Sequence, residues 1–538
     1  MSWCTINAIH PLTIMKDLNR RDFIGLAATS AGILLADRKA FASPLIELEE
    51  VTVASLQSAM ASGQSTSKAL VEGYLTRIAD IDKKLNSMIE LNPDAVAVGE
   101  QMDRERKAGK VRGPLHGIPM VIKDNIDTAD KMKTTAGSLA LLDAPTPKQD
   151  AHIVRLLRDA GAVIIAKTNL SEWANFRSTK SSSGWSGRAG QTHNPYILDR
   201  NPCGSSSGTG SAIAASLAVI GVGTETDGSI ICPSATCGIV GIKPTLGLVS
   251  RSGIIPIAHS QDTAGPMCRT VADAAALLTI LTGYDPNDAI TSAASKEKKD
   301  YTQFLQKDGL KGTKIGVARQ FFGRNDKVDK LIEPHLQILK DGGATLMDVT
   351  FPKLRDFGDA EYEVLLYEFK EDLNKYLAGR GGTNKTLKDL IDFNNKNADR
   401  EMPYFGQEIF VAAEAKGDLN ERAYQIALLQ SKLMTQEQGI DAVMDKEKLD
   451  AIVAPSGGVA WMTDLVGGDC GVFESSSLAA VSGYPNITVP AGYVQGLPAG
   501  ISFFGKAFTE PTLIKIAYSF EQATKVRRAP KYLPTYAG

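Results

Sequence analysis

From about residue 45 to the C-terminus, two kinds of apolar pattern alternate along the chain. In SKALVEGYLTRIADI, Leu70, Tyr74, Ile78 and Ile81 recur at helical spacing, with Ser65 and Thr66 as candidate caps. MVIKDN is the other kind, a short apolar run that ends at Lys123 and reads as a strand. DAHIVRLLRDAGAVIIAKTN joins the two: an Asp150 cap, a helix, Gly161 as terminator and a buried strand over 162–166. KIGVA, a helix from about Val328 to Lys340, and TLMDVTF repeat the alternation; LDAIVAPS, NITVPAGY and AGISFFG supply three later strands. Strands separated by helices predict an α/β fold with a mixed central β-sheet sandwiched by α-helices. Residues 368–450 break the rhythm, being charged and helical with few strand signals, and are expected to cover one end of the sheet. No internal repeat, low-complexity tract or Pro/Gly-rich linker divides the remainder, so residues 43–538 are expected to form one large domain.

The first 42 residues carry a different pattern. Arg20 and Arg21 precede Phe23, a mildly apolar stretch runs from Ile24 to Ala36, and Ala40 to Ala42 offer small residues at a cleavage site. This predicts a twin-arginine signal peptide cleaved after Ala42, a receptor-read address that delivers folded protein to the periplasm or beyond. The apolar stretch is too short to span a bilayer, and a short buried helix is the competing reading. Met15 is an alternative start, since MKDLNRR is a more usual opening for such a leader. Composition changes this picture little. Of 538 residues, 43 % are hydrophobic and 22 % charged, with a formal net charge of −2, which is ordinary globular material. Near-balanced charge gives no electrostatic case for nucleic acid, no basic helix suggests a membrane surface, and a monomer is expected. Cys203, Cys232, Cys237, Cys268 and Cys470 are too few for a disulfide framework and lack CxxC spacing. They read as small buried thiols, with room for one bridge in an oxidising compartment.

Polar positions that interrupt the apolar pattern gather in three stretches. GPLHGIPMVIKDNI places Lys123 at a strand end; NPCGSSSGTG puts Ser205 in a glycine–serine loop before a small-residue helix, Ser211 to Ala218; GTETDGSI sets Ser229 after a glycine-containing turn. Each has an ordinary explanation. Serines in such loops are usually turn or cap residues, strand-end lysines usually snorkel to solvent, and GSSSGTG lacks the GK[ST] of a phosphate-binding loop. None of these explains the order lysine, serine-rich loop, serine, then GIVGIKPT.

Together these stretches resemble the amidase signature family, whose usual pattern is a GGSSGG loop followed by GTDxGGSxRxPA and GxxGxKPT. The resemblance runs from about Leu45 to the end and takes in AKTNLSEWANF, GYPNITVPAG and LPAGISFFG. It implies a Ser–cisSer–Lys triad with Ser229 as nucleophile, Ser205 as bridging serine after a cis peptide from Gly204, and Lys123 as base. It also implies an oxyanion hole of backbone N–H groups from Thr226, Asp227, Gly228 and Ser229, with Ser206 as a supporting hydrogen-bonder. Asp124 either orients the lysine loop or is a surface carboxylate. The resemblance implies neither metal nor organic cofactor. Within the family, CGSSSG, GTETDGSI and GLVSRSGIIP look most like the bacterial peptide amidase branch, which converts the C-terminal carboxamide of peptides to the acid and releases ammonia. A broad aliphatic or aryl amidase is the alternative. The export signal argues against the amidotransferase subunit that modifies charged tRNA.

A serine hydroxyl is a weak nucleophile until a base takes its proton, and a lysine can serve only when neutral. The ordinary lysine pKa is about 10.4, and burial lowers it by roughly 3 units or more. The PMVI before Lys123 supplies an apolar wall. A backbone N–H aimed at a developing oxyanion is worth about 3–4 kcal/mol. The chain departs from the family pattern at four places: Glu225 where Asp is usual, Asp227 and Ser207 where Gly is usual, and Ile231 where Arg is usual. A carboxylate at Asp227 would oppose an oxyanion, so its side chain is expected to point away or pair with a cation. Trp173 and Phe176 are candidate walls of an apolar acyl pocket, or else core aromatics behind it; Pro403 to Phe410 is a further candidate wall. A Ser-His-Asp triad built on His116 or His259 lacks its G-x-S-x-G elbow, and a zinc hydrolase lacks HExxH. Lys167 reads as an ion-pair or packing residue. The remaining different class is an exported non-catalytic binding protein, against which the complete Lys, Ser, Ser set argues.

Overall fold

The computed structural model describes residues 47–536, apart from 355, 471 and 472; the leader read from residues 1–42 lies outside them. Eleven strands form one mixed sheet: β1 (Met88–Leu91), β2 (Pro119–Lys123), β3 (Val163–Thr168), β4 (Ile220–Glu225), β5 (Val240–Lys243), β6 (Thr263–Cys268), β7 (Lys314–Ala318), β8 (Thr345–Val349), β9 (Ala451–Pro455), β10 (Asn486–Val494) and β11 (Leu497–Phe504). Their order across the sheet is β1-β3-β2-β4-β6-β5-β10-β11-β9-β7-β8. Pairing is parallel around β2, which lies between β3 and β4, and antiparallel from β4 to β6 and from β10 to β11. Strands β2, β3 and β4 are buried along their whole length, as their uninterrupted apolar runs require when both faces of a parallel segment are covered.

Several helix boundaries follow from local capping. The helix Ser67–Leu85 begins where Thr66 Oγ1 accepts the N–H of Ala69 at 3.1 Å, and ends on Asn86 in the left-handed region. Asp150 does not cap the helix His152–Asp159; Ala151 holds that position. The Asp150 carboxylate is drawn off instead by the N–H of Ala129, at 2.7 Å, and by Arg158, at 3.0 Å. The small-residue helix spans Ser207–Ala214, four residues earlier than the small-residue run alone predicts. Its first turn lies directly on the sheet, where a Cβ on Gly208 would collide with the carbonyls of Ser87 and Asn169.

The helical cover starts with the long helix Gly358–Arg380, upstream of residue 368, and continues to the helix Asp441–Glu447, with no strand among the described residues between β8 and β9. Its apolar faces pack on the loop after β3: Trp173 and Phe176 share a buried cluster with Phe369, Leu373, Ile409 and Phe410. Among the described residues no helix is long and apolar enough to cross a membrane. Two of the cysteines expected as thiols, Cys203 and Cys232, are joined in a disulfide; Cys237 and Cys268 are buried and free, and Cys470 is exposed.

Candidate active site

Lys123 is the last residue of β2 and is wholly buried. Its Nζ lies 2.7 Å from Ser205 Oγ, 2.9 Å from Thr224 Oγ1 and 3.2 Å from the carbonyl oxygen of Thr224. Burial pulls its pKa down to about 7, against the opposing pull of the charges on Asp262 and Glu225. No carboxylate forms an ion pair with it among the described residues, so what surrounds the amine is hydroxyl and carbonyl oxygen.

The segment carrying Ser205 is held from several sides. The Gly204–Ser205 peptide is cis, and Cys203 before it has φ of 60°. Glycine is required at 204 because a Cβ there would collide with Ser171 Oγ. Ser171 N–H donates to the carbonyl of Ser205 at 3.1 Å. Ser206 closes a ring with the end of β4: its hydroxyl donates to Thr224 O at 3.1 Å and accepts the Thr224 N–H at 3.2 Å. Ser206 N–H also donates to the carbonyl of Ser229 at 3.2 Å, which sets the two serine-bearing loops side by side. The disulfide from Cys203 to Cys232, with Cα atoms 5.9 Å apart, ties the same two segments covalently. Among the described residues no hydrogen bond joins the hydroxyls of Ser205 and Ser229; the partner of Ser205 Oγ is Lys123.

After β4 the chain turns through Thr226, Asp227 and Gly228, the last with φ of 77°, and enters a short helix at Ile231. Glu225 organises this turn, its Oε2 accepting the N–H groups of Ile230 and Ile231 at 2.7 and 2.9 Å. Thr226 Oγ1 donates to Asp262 Oδ1 at 2.5 Å, while Asp262 Oδ2 accepts from the N–H groups of Ile257 and Ala258 at 2.8 and 2.9 Å. Gln261 Nε2 donates to the carbonyl of Thr226 at 3.3 Å. The Asp227 carboxyl accepts from Ser476 Oγ at 2.9 Å, a serine hydroxyl where the expectation was a side chain pointing away or paired with a cation. Thr224, Gln261, Asp262 and Ser476 were not anticipated from sequence. Only Thr224 carries a local signal, lying on the strand that leads into the predicted turn.

Other expected residues fall where packing puts them. Asp124 is fully buried rather than superficial, and its Oδ2 accepts from the N–H of Thr135 at 3.2 Å and of Gly137 at 3.3 Å. It therefore shapes the loop that follows Lys123. A cavity of about 630 Å³ opens next to the loop after Lys123 and the end of β4, with Asn125, Thr224, Thr226, Ala174, Ile255 and Tyr376 among its walls, while Lys123, Ser205 and Ser229 themselves lie outside that lining. Trp173 and Phe176 are absent from those walls; they are core aromatics between the loop and the helical cover, and Ala174 between them reaches the cavity. Phe405 and Phe410 are likewise buried, against Arg177 and Trp173. His116 contacts the carbonyl of Met102 at 3.0 Å, and His259 contacts Asp372 at 2.8 Å; neither joins a serine of the two loops.

Comparison with known proteins gives a consistent picture. The family model described as Amidase matches residues 69–514. The solved structure of native peptide amidase from Stenotrophomonas maltophilia superimposes with a TM-score of 0.86 at 48 % identity, covering 91 % of this chain and 99 % of that one. A probable amidase of Arabidopsis thaliana is 41 % identical, over 91 % of this chain and 93 % of its own length. A glutamyl-tRNA(Gln) amidotransferase subunit of Thermoanaerobacter pseudethanolicus is 33 % identical over 90 % of this chain and 99 % of its own.

Proposed function

The chain belongs to the amidase signature family and is an amide hydrolase, and from that premise we propose that it removes the C-terminal carboxamide of peptides by an acyl-enzyme route. The observation that carries the reading is the 2.7 Å contact between Lys123 Nζ and Ser205 Oγ in a buried pocket without a paired carboxylate. Neutral Lys123 takes a proton from Ser205 as Ser205 takes one from Ser229, whose Oγ bonds to the amide carbon. The carbonyl electrons move onto oxygen, facing the N–H groups of Thr226, Asp227, Gly228 and Ser229. Collapse breaks the C–N bond, and the proton returns through Ser205 to the nitrogen, which leaves as ammonia. Water then attacks the Ser229 ester by the same relay and frees the acid. Similarity to a peptide amidase at 48 % identity favours peptide amides over small aliphatic or aryl ones.

Incubation with C-terminally amidated peptides and with small amides tests this reading. Ammonia release with a mass gain of about one unit is expected on the peptides, and loss of that release in Ser229→Ala. Hydrolysis of small amides only would contradict the peptide assignment, and unchanged release in Ser229→Ala would contradict the nucleophile. We also propose that the leader of residues 1–42 exports the folded enzyme through the twin-arginine machinery. A mature periplasmic N-terminus at Ser43 supports this, and cytosolic retention of the intact chain opposes it.

A further inference from the structure

The oxyanion turn has a second carboxyl group against it besides Asp227. Glu474, half-buried, lies so close to Gly228 that a Cβ there would collide with its carboxyl. Between Glu474 and Asp227 stands one hydroxyl: Ser476 Oγ is 2.9 Å from Asp227 Oδ1 and 3.2 Å from Glu474 Oε2. A serine hydroxyl has a single hydrogen. It can donate fully to one of these carboxyls or weakly to both, and two carboxylates set against one hydrogen are fully satisfied only if one of them is protonated and donates to Ser476. We propose that Glu474 is that neutral acid, a positioning residue that keeps negative charge off the oxyanion turn, and that ionisation of Glu474 shuts the hole.

The surroundings identify which carboxyl holds the proton. Burial pushes the Asp227 carboxyl up as well, but hydrogen bonds from Ser477 and Ser476 and the positive charge of Lys243 oppose that rise. Glu474 faces the charges of Asp227, Glu225 and Asp469, and its Oε1 rests 3.8 Å from the bridged sulfur of Cys203. No cation pairs with it among the described residues. Burial and the neighbouring carboxylates push its pKa well above the usual carboxylate range. Glu361, on the helix Gly358–Arg380, faces Asp227 and is itself pushed up to about 8 by burial and that charge. Glu474 ionised would place a carboxylate against Gly228, on the turn whose N–H groups face the oxyanion, and so oppose the developing charge. The Asp227 that departs from the family pattern is thereby balanced by a proton on its neighbour.

This inference rests on the oxyanion assignment made under the proposed function, and its test separates the two. The measurement is kcat and KM for a C-terminally amidated peptide across about pH 6 to 10 in wild type and Glu474→Gln. Wild type is expected to lose kcat at the alkaline end. Glu474→Gln, neutral at every pH, should hold kcat within about threefold at neutral pH, leave KM unchanged and move the alkaline fall at least about one unit higher. Asp227→Asn should move that fall the other way, because Glu474 then gives up its proton more readily; this variant keeps the test alive if Glu474→Gln does not fold. The proposal is overturned by a wild-type profile without an alkaline fall, by a fall that neither variant moves, or by a loss of about tenfold or more at neutral pH in Glu474→Gln. Were activity to survive in Ser229→Ala, the nucleophile assignment would fall instead, whatever the shape of these profiles.

Discussion

Lys123 ends β2 and Lys167 is the penultimate residue of the neighbouring parallel strand β3; both follow apolar runs and are wholly buried, yet only one is built to be a base. The difference begins with register. Lys123 pairs with Thr168 and Lys167 with Ile122, so the two lysines sit one position apart and project to opposite faces of the sheet. The Lys123 face also carries Thr168, whose hydroxyl meets Thr209 of the small-residue helix at 2.7 Å, and that helix follows directly from Ser205. On the other face, Lys167 Nζ donates to the carbonyl of Ile126 at 2.9 Å and to Thr134 Oγ1 at 2.5 Å, within reach of the charges on Asp124 and Asp127. Burial lowers the pKa of both amines, but carboxylates on the Lys167 side favour the cation, while Lys123 has only neutral oxygen in contact. One register step separates an amine set among carboxylates from the amine that meets Ser205.

That contrast can be broken in graded ways. Lys123→Ala should cost roughly a thousandfold or more in kcat with little change in melting temperature, since no buried charge is left unpaired. Lys167→Met should do the reverse. It removes one of the positive charges facing Asp124 and Asp127, which keep Arg188 and Arg380, and leaves the Ile126 carbonyl and Thr134 without their donor, so denaturant unfolding should show a loss of about 1–3 kcal/mol, while the folded fraction keeps kcat within severalfold. Equal activity losses in both variants would dissolve the distinction. The pH profile is the next test. Lys123 accepts a proton only when neutral, so kcat should fall about tenfold per unit as pH drops below its pKa of about 7. An acid limb near the ordinary carboxylate range would assign the base elsewhere. The smallest effect is expected for Thr224→Val, which removes the hydroxyl shared by Lys123 Nζ and Asn125 Nδ2. A loss of about 1–2 kcal/mol in transition-state stabilisation, read in kcat more than in KM, is anticipated.

The same contrast explains what was legible in the sequence. Strand positions, the α/β class and the lysine, serine and serine positions are set by short segments whose pattern is local. The loop around Ser205 and the turn before Ser229 were readable because glycine and serine there answer to close approach, as the collisions at Gly204 and Gly228 show. Residues that act across the fold left no such trace. Asp262 and Gln261 reach Thr226 from the loop before β6, and Ser476 and Glu474 approach from beyond β9. Asp150 looked like a cap until tertiary contacts claimed its carboxylate, and Trp173 and Phe176 looked like pocket walls because an aromatic pattern does not say which side of a loop faces a cavity. The Cys203–Cys232 pairing depended on two loops meeting, which spacing alone does not encode.

The central claim is that Ser229, activated through Ser205 by Lys123, is the nucleophile. Its most direct test is labelling with a serine-directed sulfonyl fluoride, followed by intact mass and peptide mapping. A single adduct on Ser229 is expected, absent in Ser229→Ala and formed far more slowly in Lys123→Ala. An adduct on another residue, or labelling of Ser229 at an undiminished rate without Lys123, would contradict it.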